Sequence, residues 1–316
     1  MENVLIDVKN LKKYFNTKGG TLHAVDDISF QVKKGETLGL VGESGCGKST
    51  TGRAILRLHE PTSGQVIYKG EDIVKYNNKQ MKEMRKKMQI VFQDPYSSLN
   101  PRLSVFELIA DPLYVNKGVV PKNQIEERVK HTMELVGLEK RLINSYPHEL
   151  DGGRRQRVGI ARALVLNPEF IVLDEPVSAL DVSIQSQILN LLDELQEKLG
   201  LTYIFVAHNL SVVKHISDRI AVMYLGNIVE LTEYNKIFED PLHPYTQALL
   251  SAIPIPKVGI KRERIMLEGD VPSPINPGPG CVFYGRCRNR KDICKEVKPQ
   301  FEEKKPGHFV ACHIVE

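Results

Sequence analysis

The chain has 316 residues, of which 41% are hydrophobic and 26% are charged. This composition is typical of soluble globular proteins, and the length suits one large domain followed by a smaller one. The 43 basic and 39 acidic residues are too evenly balanced to indicate nucleic acid as a partner. The sequence contains neither a secretory signal pattern nor the roughly 18 consecutive apolar residues that span a bilayer. We therefore expect an intracellular protein with reduced cysteines that reaches a membrane only through a partner.

The first 60 residues predict strands around a short turn and a helix. Residues 4–30 have the pattern of a strand, a turn at residues 18–20 and a returning strand. Tyr14 and Phe15 lie near the end of the first strand, where either ring can stack on a purine base. Residues 36–41 then predict a short buried strand, and residues 51–58 predict a helix.

The segment between that strand and that helix fits the phosphate-loop pattern G-x-x-x-x-G-K-[ST]. Glycines let successive backbone N–H groups turn toward phosphate oxygens, and the helix directs its positive end at the same anion. Lys48 supplies a cation for the β- and γ-phosphates, and Ser49 supplies a hydroxyl ligand for Mg²⁺. We interpret Cys46 only as a small residue that fits the loop. The predicted nucleotide-contacting residues of this segment are Gly42, Glu43, Ser44, Gly45, Cys46, Gly47, Lys48, Ser49 and Thr50.

Strand and helix patterns alternate through the next 150 residues. Residues 105–147 are helical in periodicity, with Ile125, Val129, Met133 and Val136 forming one apolar stripe. The remaining predicted elements are strands over 65–68 and 88–93, a helix over 152–167, a strand over 170–173, a helix over 184–199 and a strand over 202–207. This order predicts an α/β domain whose site lies at the carboxyl ends of its strands.

Polar residues end three of the predicted strands. Asp174 can reach the Mg²⁺ beside Ser49, and Glu175 can orient and deprotonate a water molecule for in-line attack. Gln93 can touch both the Mg²⁺ and the attacking water through its amide. His208 can donate a hydrogen bond to the γ-phosphate. The predicted catalytic residues are Glu175, His208, Gln93 and Lys48, and the predicted Mg²⁺ ligands are Ser49, Gln93 and Asp174.

These motifs resemble, in order and spacing, those of the ATP-binding subunit of an ABC transporter, specifically of the oligopeptide/dipeptide importers. Residues 178–181 (SALD) also match, and residues 241–246 and 273–277 resemble stretches typical of the peptide importers. The resemblance implies an α/β fold: a P-loop NTPase (ABC ATPase) core with an antiparallel β subdomain and an inserted α-helical subdomain at about 95–165. It places this ATPase domain at residues 1–253. A Pro/Gly-rich linker and a small, irregular, metal-binding C-terminal domain fill residues 254–316.

The same resemblance implies function and partners. ATP and Mg²⁺ lie between the phosphate loop of one subunit and the signature of a second ATPase subunit, while Phe15 or Tyr14 stacks on adenine and Asp181 acts across the dimer. Residues 93–100 dock onto one of two transmembrane permease subunits, at the cytoplasmic face of the membrane. ATP hydrolysis there energises the import of oligopeptides or dipeptides that an extracytoplasmic peptide-binding protein delivers.

The chain departs from the family at the signature L-S-G-G-Q-x-Q-R, which reads LDGGRRQR at residues 150–157. Asp151 replaces the serine and Arg154 replaces the glutamine, while Gly152 and Gly153 are kept. Asp is a good N-cap, but its charge repels a triphosphate by about 4 kcal/mol at 4 Å and an effective dielectric near 20. We therefore hypothesise a heterodimer in which the ATP held by the partner hydrolyses slowly. The alternative is that Asp151 is simply tolerated.

Four cysteines occur near the C-terminus at Cys281, Cys287, Cys294 and Cys312. Their spacing matches neither a zinc ribbon nor the bacterial ferredoxin run, and a segment with few apolar residues suggests a metal in place of a core. The peptide importers have a similar cysteine set that resembles the site of a 4Fe–4S cluster. Zinc, with His313 as a substitute ligand, and four unrelated thiols remain alternatives.

Three other functions stay open at this stage. The first is a soluble ABC-type ATPase of DNA repair or translation, although such proteins carry coiled-coil insertions or two cassettes in one chain. The second is an importer of another substrate, such as nickel. The third is a metal-binding regulatory module with a vestigial nucleotide site, against which the intact Lys48, Asp174 and Glu175 argue.

Overall fold

A computed structural model describes residues 3–253 and 264–315 of the chain. The predicted linker residues Pro254 and Pro256 therefore lie outside the described residues, and the domain boundary near residue 253 stays a prediction. The chain divides into two compact units. Unit 1 consists of residues 75–206 with the short segments 1–3 and 33–36, and unit 2 consists of residues 4–32, 37–74 and 207–316.

Twelve strands and eleven α-helices form the described part of the chain. The strands are β1 (Val4–Thr17), β2 (Gly20–Lys33), β3 (Thr37–Val41), β4 (Ser63–Tyr68), β5 (Glu71–Asp72), β6 (Met88–Val91), β7 (Phe170–Asp174), β8 (Thr202–Ala207), β9 (Arg219–Tyr224), β10 (Asn227–Glu233), β11 (Glu302–Lys305) and β12 (His308–Val310). The helices are α1 (Lys48–Ile55), α2 (Asn78–Lys87), α3 (Pro95–Ser98), α4 (Val105–Val115), α5 (Ile125–Leu135), α6 (Gly152–Leu164), α7 (Val182–Leu199), α8 (Leu210–Ile216), α9 (Tyr234–Glu239), α10 (Pro244–Ser251) and α11 (Ile293–Glu296). None of the helices within these described residues combines the length and hydropathy that a membrane span requires.

Unit 1 is built on three parallel strands and a group of helices. β7 pairs with β6 on one side and with β8 on the other, both in parallel register. All five residues of β7 are buried, as expected for a strand covered on both faces. The predicted apolar stripe is also confirmed, because the four side chains on and just after α5 are buried. The helix predicted over 152–167 is α6, which ends slightly earlier, at Leu164.

Unit 2 contains two sheet regions. The buried strand β3 runs parallel to β9, and β10 continues from β9 as an antiparallel neighbour. The second region is an antiparallel sheet in the order β2-β1-β4-β5, which confirms the predicted strand pair at the N-terminus. The helix after the phosphate loop begins at Lys48 and ends at Ile55, three residues earlier at each end than predicted.

The C-terminal segment of unit 2 is less irregular than predicted. β11 and β12 form a hairpin, and β12 pairs antiparallel with β10. Residues 273–277 lie along β2, where the His23 N–H donates to the Pro274 carbonyl at 3.0 Å and Leu22 bridges Ile275. The sequence did not predict the hairpin, because β11 (EEKK) consists only of charged residues, which are not typical of strands.

A buried polar cluster holds the stretch after β10. The Glu230 carboxylate, which is fully buried, accepts the backbone N–H of Leu242 at 2.7 Å and that of His243 at 3.0 Å. His308 of β12 contacts the same carboxylate through Nε2 at 2.7 Å. Because a buried carboxylate needs such partners, this cluster fixes where α10 begins.

Candidate functional site

The phosphate loop leads from β3 into α1, within unit 2. Gly47 caps the helix at φ 105° and ψ 1°, a left-handed conformation that favours glycine. A Cβ at Gly47 would lie 2.1 Å from the Ala24 carbonyl oxygen, and one at Gly42 would lie 2.2 Å from the Met223 carbonyl oxygen. The two glycines are therefore required by the close approach of β2 and β9 to the loop.

Lys48 begins α1 and turns back over the loop. Its Nζ donates to the Gly42 carbonyl at 2.9 Å and to the Glu43 carbonyl at 3.0 Å. Burial raises the pKa of the Cys46 thiol. The roles of Lys48 as the loop cation and of Cys46 as a small filler stay predictions.

Glu43 is held by the C-terminal part of unit 2. Arg286 donates from Nη1 to Glu43 Oε2 at 2.7 Å and from Nη2 to Oε1 at 3.2 Å. The Glu43 backbone N–H donates to the Tyr245 hydroxyl at 3.0 Å. Sequence reasoning missed both partners. Tyr245 lies in the stretch 241–246 that the resemblance had singled out, whereas no local pattern marks Arg286.

The two candidate adenine-stacking residues have different surroundings on β1. The Tyr14 ring stacks on His23 with centroids 4.0 Å apart, and its hydroxyl donates to Asp26. Burial and that hydrogen bond raise the pKa of Tyr14. Phe15 carries no hydroxyl; Lys13 Nζ lies 4.7 Å from its ring centroid, and His59 meets the ring edge-on at 5.6 Å. Tyr14 is stacked and hydrogen-bonded within its own sheet, whereas the contacts of Phe15 are with two side chains, so Phe15 is the better candidate for stacking on a base.

Unit 1 brings together Gln93 and Glu175, which are 82 residues apart. Gln93 lies just after β6 and donates from Nε2 to Glu175 Oε2 at 2.8 Å. Glu175 has a backbone φ of 47°, which is strained for a residue with a side chain, and its N–H donates to the Val206 carbonyl at 3.1 Å. Non-glycine residues in this conformation are concentrated at functional sites. Asp174, at the end of β7, is fully buried, and His208 follows β8 at an exposed position.

The signature segment forms the N-terminus of α6, as predicted. Asp151 is the N-cap, because its Oδ1 accepts the Arg154 N–H at 2.8 Å. The Arg154 guanidinium bridges two carboxylates, 3.3 Å from Asp151 Oδ2 and 3.0 Å from Glu139 Oε1. All three side chains are partly exposed, so Arg154 offsets the Asp151 charge only in part.

The two signature glycines allow α6 to approach α7. A Cβ at Gly153 would lie 2.7 Å from Ile184 Cγ2, and a Cβ at Gly152 would lie 3.1 Å from Leu180 Cδ2. Asp181 caps α7 by accepting the Ile184 N–H at 3.0 Å. The start of α6 and the start of α7 are thus packed closely together.

The four C-terminal cysteines are unpaired thiols in unit 2. Burial raises the pKa of the Cys281 thiol to about 11, and electrostatic interactions with Cys294, Cys312 and Cys287 raise it further. Thiolates suit zinc or an iron–sulfur cluster as ligands. Within residues 3–253 and 264–315, however, no three or more His, Cys, Asp or Glu side chains are arranged to hold a metal ion. The metal site therefore stays a prediction.

Comparisons with known proteins agree with this geometry. Residues 25–178 match the ABC transporter family, and residues 229–294 match the oligopeptide/dipeptide transporter C-terminal region. The oligopeptide transport ATP-binding protein AppF of Bacillus subtilis is 52% identical over 99% of this chain and 98% of its own length. The oligopeptide transport ATP-binding protein OppF of Haemophilus influenzae is 52% identical over 98% of this chain and 94% of its own.

Solved structures extend the agreement to the fold. CbiO1 from Clostridium perfringens, part of the ABC transporter complex CbiONQ, is 31% identical to this chain and superposes with a TM-score of 0.68. The match covers 76% of this chain and 92% of the CbiO1 chain. The dimeric bacterial ABC transporter cassette MJ0796 is 31% identical with a TM-score of 0.66, over 72% of this chain and 98% of its own. Since a relative of over 50% identity spans nearly the whole chain, the protein is an ABC-type ATPase and belongs to the ATP-binding proteins of the oligopeptide/dipeptide ABC transporters.

Proposed function

We propose that this chain hydrolyses ATP to energise the import of oligopeptides or dipeptides. The observation that carries the proposal is the phosphate loop, in which the left-handed Gly47 and the inward-turned Lys48 begin α1. The names of the relatives support peptides as the class of cargo. The cargo itself is bound by other subunits, so this chain supplies only the energy.

The triphosphate is held by the loop amides and by Lys48, with Phe15 stacked on the base. Ser49, Gln93 and Asp174 are assigned to Mg²⁺, which neutralises charge on the phosphates. Their hydroxyl, amide and carboxylate oxygens are hard donors that suit this ion. Glu175 takes the proton of the attacking water, Gln93 orients the carboxylate through its 2.8 Å hydrogen bond, and His208 donates to the γ-phosphate.

A second ATPase subunit completes each site by placing its signature against the γ-phosphate. Because only ATP offers that group to the facing signature, ATP binding favours the closed dimer and hydrolysis favours the open one. Asp181 acts across this dimer. Asp151 and Arg154 favour a heterodimer in which the partner's ATP, facing this chain's signature, is hydrolysed slowly. The ATP held by this chain is then the active one.

The remaining partners lie at the membrane. Residues 93–100, which include the exposed Tyr96, form the docking surface for one of two permease subunits. The chain is therefore peripheral, on the cytoplasmic face, and an extracytoplasmic peptide-binding protein communicates with it only through the permeases.

We also propose a 4Fe–4S cluster on Cys281, Cys287, Cys294 and Cys312, with zinc as the alternative. The four cysteines are unpaired thiols within one segment of the chain, and thiolates are the ligands that iron–sulfur clusters and zinc take, which supports the proposal. Metal analysis and an absorption spectrum of anaerobically purified protein distinguish the two metals. Anaerobically purified protein that contains neither iron nor zinc contradicts both.

The variant Glu175→Gln tests the proposed chemistry. Loss of the catalytic base lowers ATP turnover at least a hundredfold while MgATP is still retained. The exposed Glu197→Gln on α7 is the matched control and keeps full turnover. Failure of Glu175→Gln to retain MgATP contradicts the ATPase assignment. Copurification with two polytopic membrane subunits, followed by uptake assays with peptides and with nickel, separates the importer from a soluble ATPase and from a nickel importer.

A further inference from the structure

We infer that Arg286 is a positioning residue for the phosphate loop and acts through Glu43. Its guanidinium makes two parallel hydrogen bonds to the Glu43 carboxylate, at 2.7 and 3.2 Å. The side chain of Arg286 is 9% exposed and that of Glu43 is 28% exposed. Two-point pairs of this kind fix orientation as well as distance, unlike exposed ion pairs, which contribute little.

Glu43 is held at three points within unit 2. Arg286 holds its carboxylate, the buried Tyr245 hydroxyl accepts its backbone N–H at 3.0 Å, and Lys48 Nζ donates to its carbonyl at 3.0 Å. A residue fixed at its N–H, its carbonyl and its side chain has little freedom to rotate. The path of the chain from Gly42 toward Gly47, and hence the direction of the loop amides, depends on this residue.

A buried aromatic cluster keeps Arg286 in place. Phe283, three residues earlier, packs edge-on against Tyr224 with centroids 5.2 Å apart and in a tilted arrangement against Tyr245 with centroids 5.5 Å apart. Each of these rings is at most 1% exposed. The guanidinium carbon of Arg286 lies 6.0 Å from the Tyr224 centroid. The Tyr224 ring therefore supports both the Arg286 guanidinium and the Tyr245 ring.

Arg286 also balances a charge. The Glu43 carboxylate belongs to the loop that receives a triphosphate, and an unpaired carboxylate there repels this polyanion. Arg286 offsets that repulsion through its two hydrogen bonds to the Glu43 carboxylate. Its loss is therefore expected to weaken nucleotide binding more than the chemical step, because it hydrogen-bonds Glu43 of the phosphate loop and not Glu175 or Gln93.

The position of Arg286 in the sequence adds a consequence. Phe283 and Arg286 both lie between Cys281 and Cys287. The segment that carries the cysteines is thereby joined to the phosphate loop by an ion pair and by ring packing. Nucleotide affinity then depends on the integrity of that segment.

The test compares Arg286→Gln with the matched control Arg290→Gln, whose exposed side chain lies over the Tyr284 ring. Arg286→Gln should raise the Kd of a fluorescent ATP analogue and the KM for ATP about tenfold, with kcat changed less than about twofold. Arg290→Gln should match the wild type. Arg286→Lys, which keeps the charge but cannot form the two-point pair, should fall between them.

A second substitution distinguishes an effect of Arg286 on nucleotide binding through Glu43 from a general loss of stability. In the double variant Glu43→Gln/Arg286→Gln the unpaired carboxylate is gone, so nucleotide binding should recover relative to Arg286→Gln. A melting temperature measured without nucleotide shows whether each variant is folded. If Arg286→Gln is not folded, the comparison is made with Arg286→Lys instead. An unchanged Kd and KM in the folded Arg286 variants overturns the inference, and so does a double variant that binds no better.

The inference rests on the proposed function, but the two fail differently. If the wild type and Arg290→Gln bind no nucleotide, the proposed ATPase role fails and the inference fails with it. If they bind nucleotide and Arg286→Gln binds equally well, only the role of Arg286 fails.

Discussion

Asp151→Ser is the substitution that most directly tests the altered signature. In the proposed dimer, Asp151 occupies the place of the signature serine and faces the γ-phosphate of the ATP held by the partner subunit. A full unit charge about 4 Å from another contributes ~4 kcal/mol at an effective dielectric near 20. This is an upper value, because the Asp151 side chain is 59% exposed and Arg154 lies 3.3 Å away.

Solvent screening and the Arg154 pair reduce the expected repulsion to ~1 kcal/mol, the value that the same distance gives in water. Such a difference corresponds to about a fivefold change in rate. Serine caps a helix about as well as aspartate, so α6 should begin at the same residue. We therefore expect Asp151→Ser to accelerate hydrolysis of the partner's ATP about fivefold without changing the melting temperature.

The assay needs the assembled transporter and a background in which the other site is silent. In Glu175→Gln complexes the ATP held by this chain is not hydrolysed, so the remaining turnover comes from the partner's ATP. Asp151→Ser should raise that remaining turnover in proteoliposomes. Asp151→Asn is the matched control, because it removes the charge and keeps the N-cap without supplying a hydroxyl. An unchanged remaining rate in both variants refutes the repulsion and favours a tolerated aspartate.

Three further predictions concern stability, each measured by urea unfolding. Glu230→Gln should lower the free energy of unfolding by about 3 kcal/mol, because an amide cannot accept all the hydrogen bonds of the buried carboxylate; a loss below about 1 kcal/mol would contradict this. Burial lowers the pKa of His243 to about 4. At pH values below about 6.5, the ordinary pKa of histidine, unfolding therefore takes up a proton. The free energy of unfolding should therefore fall as pH drops from about 6.5 to 4, by up to ~3 kcal/mol, and His243→Asn should flatten this slope. Gly153→Ala should cost about 1–3 kcal/mol because its Cβ would lie 2.7 Å from Ile184, and Ile184→Ala in the same chain should restore part of it; an unchanged stability would show that the helices can separate.

Sequence reasoning succeeded where the physics is local. The phosphate loop requires glycines and a lysine at fixed spacing, so it could be located without the fold. The continuous apolar run of β7 follows because the strand is buried on both faces. The apolar stripe of α5, with residues three or four positions apart, follows because the helix is buried on one face. The cap at Asp151 depends only on a side chain and the backbone three residues later.

The rest depends on contacts between distant residues. Gln93 and Glu175 meet across 82 positions, and Glu43 and Arg286 across 243, so neither pair leaves a local pattern. The strand β9 was not predicted, because its short apolar run fits a helix as well as a strand. The strand β10 (NIVELTE) was not predicted either, because it buries polar residues that a sequence pattern assigns to the surface. Similarly, α2 buries only Met81 and Met84, too few to give a stripe.

The C-terminal segment covers two strand edges of unit 2. Residues 273–277 lie along β2, and β12 pairs with β10. A chain truncated at residue 253 would present both edges, with their unpaired N–H and carbonyl groups, to any neighbouring chain. Exposed edges of this kind promote aggregation. Recombinant fragments that stop at residue 253 should therefore precipitate, and the C-terminal segment is better regarded as the closing part of unit 2 than as a removable appendage.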